Sequence, residues 1–196
     1  MAINKKIGIT GGIGSGKSFV CQILESMGSP VFYSDKEAKS ILINNLKVKT
    51  QIIELFGNGA YLNNESLNRE LLASKIFNDK ELLAKMNAIV HPVVRQCFID
   101  WANLQNSTIV FNEAAIIFES GIQKNYDSTL LITASENTKI KRIQLRDKST
   151  IIEIQKRMNN QWSDERKIEL ADFVIVNDDD VMLLPQIIYF IEGLNN

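Results

Sequence analysis

The sequence predicts an α/β fold in which a parallel sheet of five short strands is covered by helices on both faces. Short apolar runs with little polar alternation are typical of strands that are buried on both sides. Such runs occupy residues 6–10, 30–33, 108–111, 129–133 and 173–176. Stretches with a helical spacing of apolar residues separate them, which favours parallel strands joined by crossover helices. A glycine-rich segment, residues 11–18, connects the first strand to the first helix.

The first helix is predicted over residues 17–27, because Val20, Ile23 and Leu24 recur with helical spacing and Gly28 follows as a C-terminal signal. Helical spacing also predicts the remaining helices, at residues 36–46, 48–56, 69–77, 79–103, 139–146, 151–160 and 182–194. Pro92 lies inside the longest of these and predicts a kink or a break there.

The spacing of the strands predicts one domain with two additions to its core. No strand is predicted between the second and third apolar runs, so we interpret residues 36–106 as a helical, substrate-binding insertion. Residues 146–170 are polar and basic and are a second candidate insertion. The core is then expected to comprise residues 1–35, 107–140 and 171–196.

Composition excludes several functional classes. Lysine and arginine number 22 against 23 aspartates and glutamates, and this near-neutral charge argues against a protein that coats DNA or an anionic membrane. Apolar runs are far shorter than a membrane span, and Cys21 and Cys97 do not form a disulfide framework. We expect a cytoplasmic monomer or weak homo-oligomer whose partners are small molecules, with no nucleic-acid or membrane partner.

The glycine-rich segment reads GGIGSGKS and matches the phosphate-loop (P-loop) pattern G-x-x-x-x-G-K-[ST]. Glycines let backbone N–H groups approach phosphate oxygens, and the following helix adds its positive N-terminal end. We expect Lys17 to reach the β- and γ-phosphates of ATP and Ser18 to bind Mg²⁺. The predicted ATP-binding residues of the loop are Gly12, Ile13, Gly14, Ser15, Gly16, Lys17 and Ser18.

Other residues favour a kinase among the P-loop proteins. The chain lacks the Asn-Lys-x-Asp motif of GTPases, and Asn112-Glu113 matches the acidic strand end of motor ATPases imperfectly. Asp35 follows the second strand, where a kinase needs a carboxylate beside the acceptor hydroxyl, although it could instead cap a helix. The chain has six arginines, of which four could clamp the transferring phosphate or form a solvated face: Arg142, Arg146, Arg157 and Arg166.

With these residues in view, the sequence resembles the dephospho-CoA kinase family along nearly its whole length. The resemblance rests on several short motifs in the same order. They are residues 9–18, Tyr33-Ser34-Asp35 with Ala38, Leu67-Asn68-Arg69, Ile76-Phe77, His91-Pro92-Val93, Ile116-Ile117-Phe118-Glu119, Arg142, Arg146-Asp147, residues 157–161, and Ala171-Asp172-Phe173-Val174-Ile175 with Asn177.

The resemblance implies a P-loop kinase with a core, a helical substrate-binding region and a lid, the last at residues 141–170. It also implies transfer of the γ-phosphate of ATP to the ribose 3′-hydroxyl of dephospho-CoA. By position, Asp35 would activate that hydroxyl and Arg146 would contact the transferring phosphate. Arg142 would bind ATP, and Asn177 would lie near the adenine of ATP. The acceptor site would be lined, besides Asp35, by Arg69, His91 and Glu119.

Two positions depart from the family pattern. Tyr33 replaces the first aspartate of Asp-Ala-Asp, so a duty shared by two carboxylates would rest on Asp35. Ala115 replaces a proline, and Glu113 nearby is a candidate contact, through water, to Mg²⁺, as is Asp35.

Some alternatives stay open at this point. His91 could cap a helix end, and Glu119 could be a surface charge. The chain could also be another small-metabolite or nucleoside monophosphate kinase, or a non-catalytic nucleotide-binding switch.

Overall fold

The structure is a computed structural model that describes residues 4–77 and 79–195. Its strands are β1 (Lys5–Gly11), β2 (Val31–Tyr33), β3 (Ile109–Glu113), β4 (Ser128–Thr133) and β5 (Phe173–Val176). Its helices are α1 (Lys17–Ser26), α2 (Ser34–Asn44), α3 (Leu46–Phe56), α4 (Arg69–Phe77), α5 (Lys80–Asn103), α6 (Glu136–Asp147), α7 (Ile151–Met158), α8 (Asp164–Ile168) and α9 (Leu183–Asn195). Short 3₁₀ turns occur at Asn58–Ala60 and Gln123–Asn125.

The strands form one sheet in the order β2-β3-β1-β4-β5. β1 runs parallel to both of its neighbours, and β4 runs parallel to β5. Four consecutive residues of β1, from Ile7 to Thr10, are almost inaccessible, so both faces of the sheet centre are covered. This confirms the predicted five-stranded parallel α/β fold.

The order of the strands places the phosphate loop at a point where the chain changes direction across the sheet. β1 is central, with β3 on one side and β4 on the other. Connections that leave toward opposite edges open a crevice outside the carboxyl ends of the strands, which is where ligands bind in this class of sheet. The loop that follows β1 therefore begins at that crevice.

The chain divides into two compact units, residues 1–32 with 105–196, and residues 33–104. The core of the first unit surrounds the sheet and includes the rings of Phe111 and Phe190, whose centroids are 6.1 Å apart. The second unit is helical. Its buried apolar side chains lie mainly on α3 and α5: Val48, Ile52, Phe56, Val90, Val94 and Phe98.

Four local predictions differ from the structure. α5 continues through Pro92 without a break. β5 is an edge strand rather than a doubly buried one, because Val174 and Val176 are exposed while Ile175 is buried. β3 extends to Glu113, two residues beyond the predicted apolar run, because polar side chains complete it. α8 was not predicted, since five residues are too few to show a helical period.

No helix within residues 4–77 and 79–195 combines the length and the apolar character needed to cross a membrane.

Candidate active site

The phosphate loop runs from the end of β1 at Gly11 to the start of α1 at Lys17. Two of its glycines adopt left-handed conformations, with φ of 81° at Gly14 and 88° at Gly16. Gly16 is the N-cap of α1 and has no side chain to occupy the amide groups of the first helical turn. A left-handed N-cap without a side chain directs the helix N-terminus toward a ligand rather than toward a capping oxygen.

Asn177 holds this loop in shape from the end of β5. Its Nδ2 donates a hydrogen bond to the carbonyl oxygen of Ser15 at 2.8 Å, and both side chains are buried. A Cβ atom on Gly16 would lie 2.1 Å from the same Nδ2. Position 16 therefore accepts only glycine as long as the Asn177 amide stays where it is.

Arg142 of α6 fixes Asn177 in turn. Its Nη1 donates to the backbone carbonyl of Asn177 at 2.8 Å, and its Nη2 contacts Asp179 at 3.1 Å. The structure thus brings together the two residues expected on the ATP side, Arg142 and Asn177. The Asn177 side chain is engaged with the loop itself, and a contact with adenine stays a prediction.

The Lys17 ammonium lies against the loop that carries it. Its Nζ donates to the carbonyl oxygens of Gly11 at 2.9 Å and Gly12 at 3.3 Å. A cation held over the loop by carbonyl oxygens can exchange them for the more strongly charged oxygens of a phosphate. Ser18 follows in the first turn of α1 with an exposed side chain.

Glu113 lies at the carboxyl end of β3, beside β1, where it is in register with Ile9. It is only 7% exposed. Carboxylate and hydroxyl oxygens are suitable ligands for Mg²⁺, which keeps several waters and takes other ligands from substrate phosphates. Within residues 4–77 and 79–195, no group of three or more His, Cys, Asp or Glu side chains could hold a metal by itself.

Arg146 ends α6 in a cluster of charges. Its Nε lies 2.7 Å from Oδ1 of Asp147, and Nη1 of Arg157 lies 2.7 Å from Oδ2 of the same carboxylate. Hydrogen bonds from the two guanidinium groups hold the pKa of Asp147 well below its usual range. The Arg146 side chain is 60% exposed, so it can leave this partner without breaking a packed core.

Asp35 and His91, two of the residues expected on the acceptor side, come together in the helical unit. Asp35 lies in the first turn of α2 rather than at its N-cap, which is Tyr33, so the capping alternative is wrong. His91 lies in the middle of α5, not at a helix end. Burial lowers the pKa of His91, and the negative charge of Asp35 raises it by a smaller amount. Arg69, at the start of α4, is exposed.

Glu119 is not a free surface charge. Its Oε1 lies 2.8 Å from Nζ of Lys167, which is completely buried, and accepts a hydrogen bond from the backbone N–H of Trp162 at 3.1 Å. These contacts attach the segment before α8 to the loop after β3. No sequence pattern identified Lys167, because α8 is too short to show which of its residues point inward.

A cavity of about 640 Å³ opens beside the loop, and several residues that sequence reasoning missed line it. Lys139 and Asp164 form an ion pair there, and Gln161 contacts Ile13 of the loop. Lys139 lies one helical turn before Ile143, and both are buried. That i, i+4 spacing is the signal that could have assigned Lys139 to an inward face.

Replacing Gly16 by alanine tests the fit between the loop and Asn177. The added Cβ would clash with Nδ2 of Asn177, so we expect ATP affinity to fall by about tenfold or more in isothermal titration calorimetry. Gly28→Ala is the matched control, because Gly28 has a similar φ of 86° but open space around it. That control should lose about 1 kcal/mol of unfolding free energy and keep its ATP affinity. Equal losses of ATP affinity in both variants would contradict this account.

Titration of His91 tests its proximity to Asp35. The chain has one histidine, so a tag-free sample gives a single imidazole titration by NMR. We expect a pKa below 6.5, and a still lower one in Asp35→Asn, because the carboxylate that raises it is removed. Glu37→Gln removes the next carboxylate on α2 and should leave the titration unchanged. A pKa that does not respond to Asp35→Asn would show that the two groups are not close.

The same depressed pKa has a consequence for stability. Because His91 takes up its proton more readily in the unfolded chain, its contribution is intact above pH 6.5 and is lost as the pH falls below that value. Urea unfolding at several pH values should therefore show a smaller loss at acid pH in His91→Gln than in the parent chain.

Comparison with known proteins agrees with this geometry. A sequence model of the dephospho-CoA kinase family matches residues 5–182. A dephospho-CoA kinase of Bacteroides fragilis is 37% identical over 190 residues, which cover 96% of this chain and 92% of that protein.

Two solved structures are similar along the whole chain. TT1252 from Thermus thermophilus has a TM-score of 0.85 and 30% identity, and the alignment covers 97% of this chain and 96% of that one. Dephospho-CoA kinase from Campylobacter jejuni has a TM-score of 0.70 and 26% identity, with 98% of each chain covered. The resemblance drawn from the motifs is confirmed, and the chain belongs to the dephospho-CoA kinase family.

Proposed function

We propose that this chain transfers the γ-phosphoryl group of ATP to the ribose 3′-hydroxyl of dephospho-CoA and releases coenzyme A and ADP. The observation that carries the proposal is a phosphate loop held in shape by Asn177, in a chain of the dephospho-CoA kinase family. In the reaction the 3′-oxygen bonds to the γ-phosphorus while the bond to the β,γ-bridging oxygen breaks. Positioning and electrostatic stabilisation account for most of the catalysis in such transfers.

In this proposal the loop N–H groups and Lys17 bind the phosphates of ATP. The loop residues that take part are Gly12, Ile13, Gly14, Ser15, Gly16, Lys17 and Ser18. Arg142 and Asn177 keep the loop in its binding conformation, which is supported by their hydrogen bonds to each other and to Ser15. We also propose that Asn177 lies near the adenine.

Mg²⁺ fits the oxygen ligands available near the loop. We propose that the hydroxyl of Ser18 holds the ion directly, with Glu113 and Asp35 as candidate contacts through water. The buried carboxylate of Glu113 at a strand end beside β1 supports its part in this set. When bound, Mg²⁺ neutralises charge on the β- and γ-phosphates.

On the acceptor side, Asp35 orients the 3′-hydroxyl and accepts its proton. The position of Asp35 in the first turn of α2, close enough to His91 to raise the pKa of that imidazole, supports this role because it groups two of the residues expected on the acceptor side. His91, Arg69 and Glu119 line the acceptor site in this proposal. Because Glu119 holds Lys167 and the N–H of Trp162, its contribution is to fix the wall of the site.

We propose that residues 141–170 act as the lid of the enzyme and that Arg146 contacts the transferring phosphoryl group. Support comes from the exposed, ion-paired Arg146 at the end of α6, which can exchange Asp147 for a phosphate. A guanidinium that meets the phosphate only in the closed state adds charge stabilisation while water is excluded.

We also propose that the protein works in the cytoplasm as a monomer or weak homo-oligomer, without a nucleic-acid partner. A metabolic kinase family, two free cysteines and a formal charge of −1 support this setting.

The direct test of the function is an acceptor panel. The purified chain is incubated with ATP, Mg²⁺ and dephospho-CoA, or with shikimate, gluconate or a nucleoside monophosphate in its place. We expect dephospho-CoA to be phosphorylated fastest, with coenzyme A as the product by chromatography. Faster turnover of another acceptor, or ATP hydrolysis that is independent of every acceptor, would contradict the proposal.

Asp35→Asn tests the role of the carboxylate. We expect kcat to fall by roughly 10²- to 10⁴-fold, since general base catalysis contributes about that much. ATP affinity should stay within about twofold of the parent value, because the phosphate loop is unchanged. Glu37→Gln, with the same change of charge in the same helical turn, should retain its kcat. A large loss of ATP binding in Asp35→Asn would make Asp35 a structural residue instead.

A further inference from the structure

The cavity beside the phosphate loop contains a second lysine that the reaction scheme above does not use. Lys139 lies on the inner face of α6 and is only 6% exposed. It lines the same cavity as Gly12 and Ile13 of the loop. A nearly buried ammonium group on the wall of a phosphate-binding cavity needs a negatively charged partner both with and without a bound ligand, because an unpaired buried charge is costly.

The counter-charge in this structure is Asp164, the first residue of α8. Its Oδ2 accepts from the ammonium of Lys139 and from the hydroxyl of Thr133. Both charged groups lie close to the loop backbone. A Cβ atom built on Gly12 would lie 3.4 Å from Nζ of Lys139 and 3.3 Å from Oδ1 of Asp164. The carboxylate is therefore held against the start of the phosphate loop.

A second oxygen from the same segment also contacts the loop. The side-chain oxygen of Gln161 accepts a hydrogen bond from the backbone N–H of Ile13 at 2.8 Å. Loop N–H groups and nearby ammonium groups are the donors that phosphate oxygens use in such sites. In this structure, two of these donors are engaged by oxygens of Gln161 and Asp164, which lie three residues apart.

The buried pair of Lys167 and Glu119 shows what a purely structural ion pair looks like in this chain. Lys167 is completely inaccessible and does not line the cavity. Lys139, in contrast, reaches the cavity wall next to Gly12. The pair of Lys167 and Glu119 therefore holds parts of the fold together, whereas Lys139 can contact a ligand in the cavity.

We propose that Lys139 is a further phosphate-binding residue for ATP, and that Asp164 and Gln161 occupy this part of the site until the phosphates displace them. The inference rests on the proposed function only for the identity of the nucleotide. A phosphate chain carries more negative charge than one carboxylate and an amide, so it competes effectively for the same donors. Displacement releases the segment between α7 and α8 from the loop.

Two substitutions give opposite results if this is correct. Lys139→Met removes the cation and should weaken ATP binding about tenfold in calorimetry without acceptor. Asp164→Asn keeps the size and an acceptor oxygen but removes the competing charge, so it should tighten ATP binding roughly threefold or more. The controls are Lys141→Met on the same helix and Glu169→Gln just after α8. Both are exposed and lie outside the cavity, and they should leave the affinity unchanged.

A structural ion pair predicts a different pattern. Both substitutions would then lower the midpoint of thermal unfolding, and both would weaken ATP binding or leave it unchanged. Either result for Asp164→Asn would overturn the proposal, as would unchanged affinity in Lys139→Met. Should Lys139→Met fail to fold, Lys139→Gln keeps a hydrogen-bond donor to Asp164 and is expected to weaken ATP binding in the same direction.

The titration also separates this inference from the proposed function. It contains no acceptor, so the opposite shifts in ATP affinity can be seen whether or not coenzyme A is formed. Loss of the opposite shifts with normal coenzyme A synthesis would overturn the inference alone. Opposite shifts without coenzyme A synthesis would overturn the function alone.

Discussion

The phosphate site depends on the side-chain amide of Asn177. This amide packs against Gly16 and donates a hydrogen bond to the carbonyl oxygen of Ser15. The partners are 162 residues apart in sequence and meet because β5 ends near the loop that follows β1. Arg142 holds the Asn177 backbone from α6. The loop conformation is thus imposed by the ends of two strands and a helix, and not by the glycines alone. Glycine at position 16 is required twice, by its positive φ and by the space that the amide occupies.

The fold could be predicted because its determinants are local. A doubly covered parallel sheet requires nearly continuous apolar strands, and the runs around Ile7, Val110 and Leu131 show this directly. Where the pattern is weaker, prediction and structure diverge. β5 alternates because it is an edge strand, and α8 is stabilised by its Ser163 cap and the buried Lys167 rather than by an apolar face. α5 passes through Pro92 since packing against α2, α3 and α4 supports a long helix that the local sequence disfavours.

The phosphate loop could be predicted from the sequence, whereas most of the side chains that surround it could not. The phosphate loop is contiguous, so its spacing alone indicates what it binds. The groups around it come from distant segments and have no local signature. Asp164 reaches Lys139 across 25 residues, and Gln161 reaches Ile13 across 148. Glu119 was expected as a site residue from its motif, but only the structure shows that it pairs with Lys167, a residue that no pattern identified.

These contacts connect the proposed lid directly to the phosphate loop. The segment carrying Gln161 and Asp164 is in contact with the loop, and Trp162 between them is tied to Glu119 through its backbone N–H and stacks on the guanidinium of Arg166. If the phosphates displace Gln161 and Asp164 as proposed, the start of α8 and the segment before it are released directly from the loop. Arg146 and Arg157 share Asp147 at the other end of the proposed lid, so the proposed closure would also change the partners of these arginines.

In the proposed reaction, the phosphoryl group of ATP is transferred to one particular oxygen, the 3′-hydroxyl of the ribose of dephospho-CoA. Phosphorus NMR of the products of a reaction with ATP and dephospho-CoA tests this most directly. We expect one new phosphomonoester, coupled to the ribose 3′ proton and formed in equal amount with ADP. A phosphomonoester at the 2′ position, or inorganic phosphate in place of an ester, would contradict it.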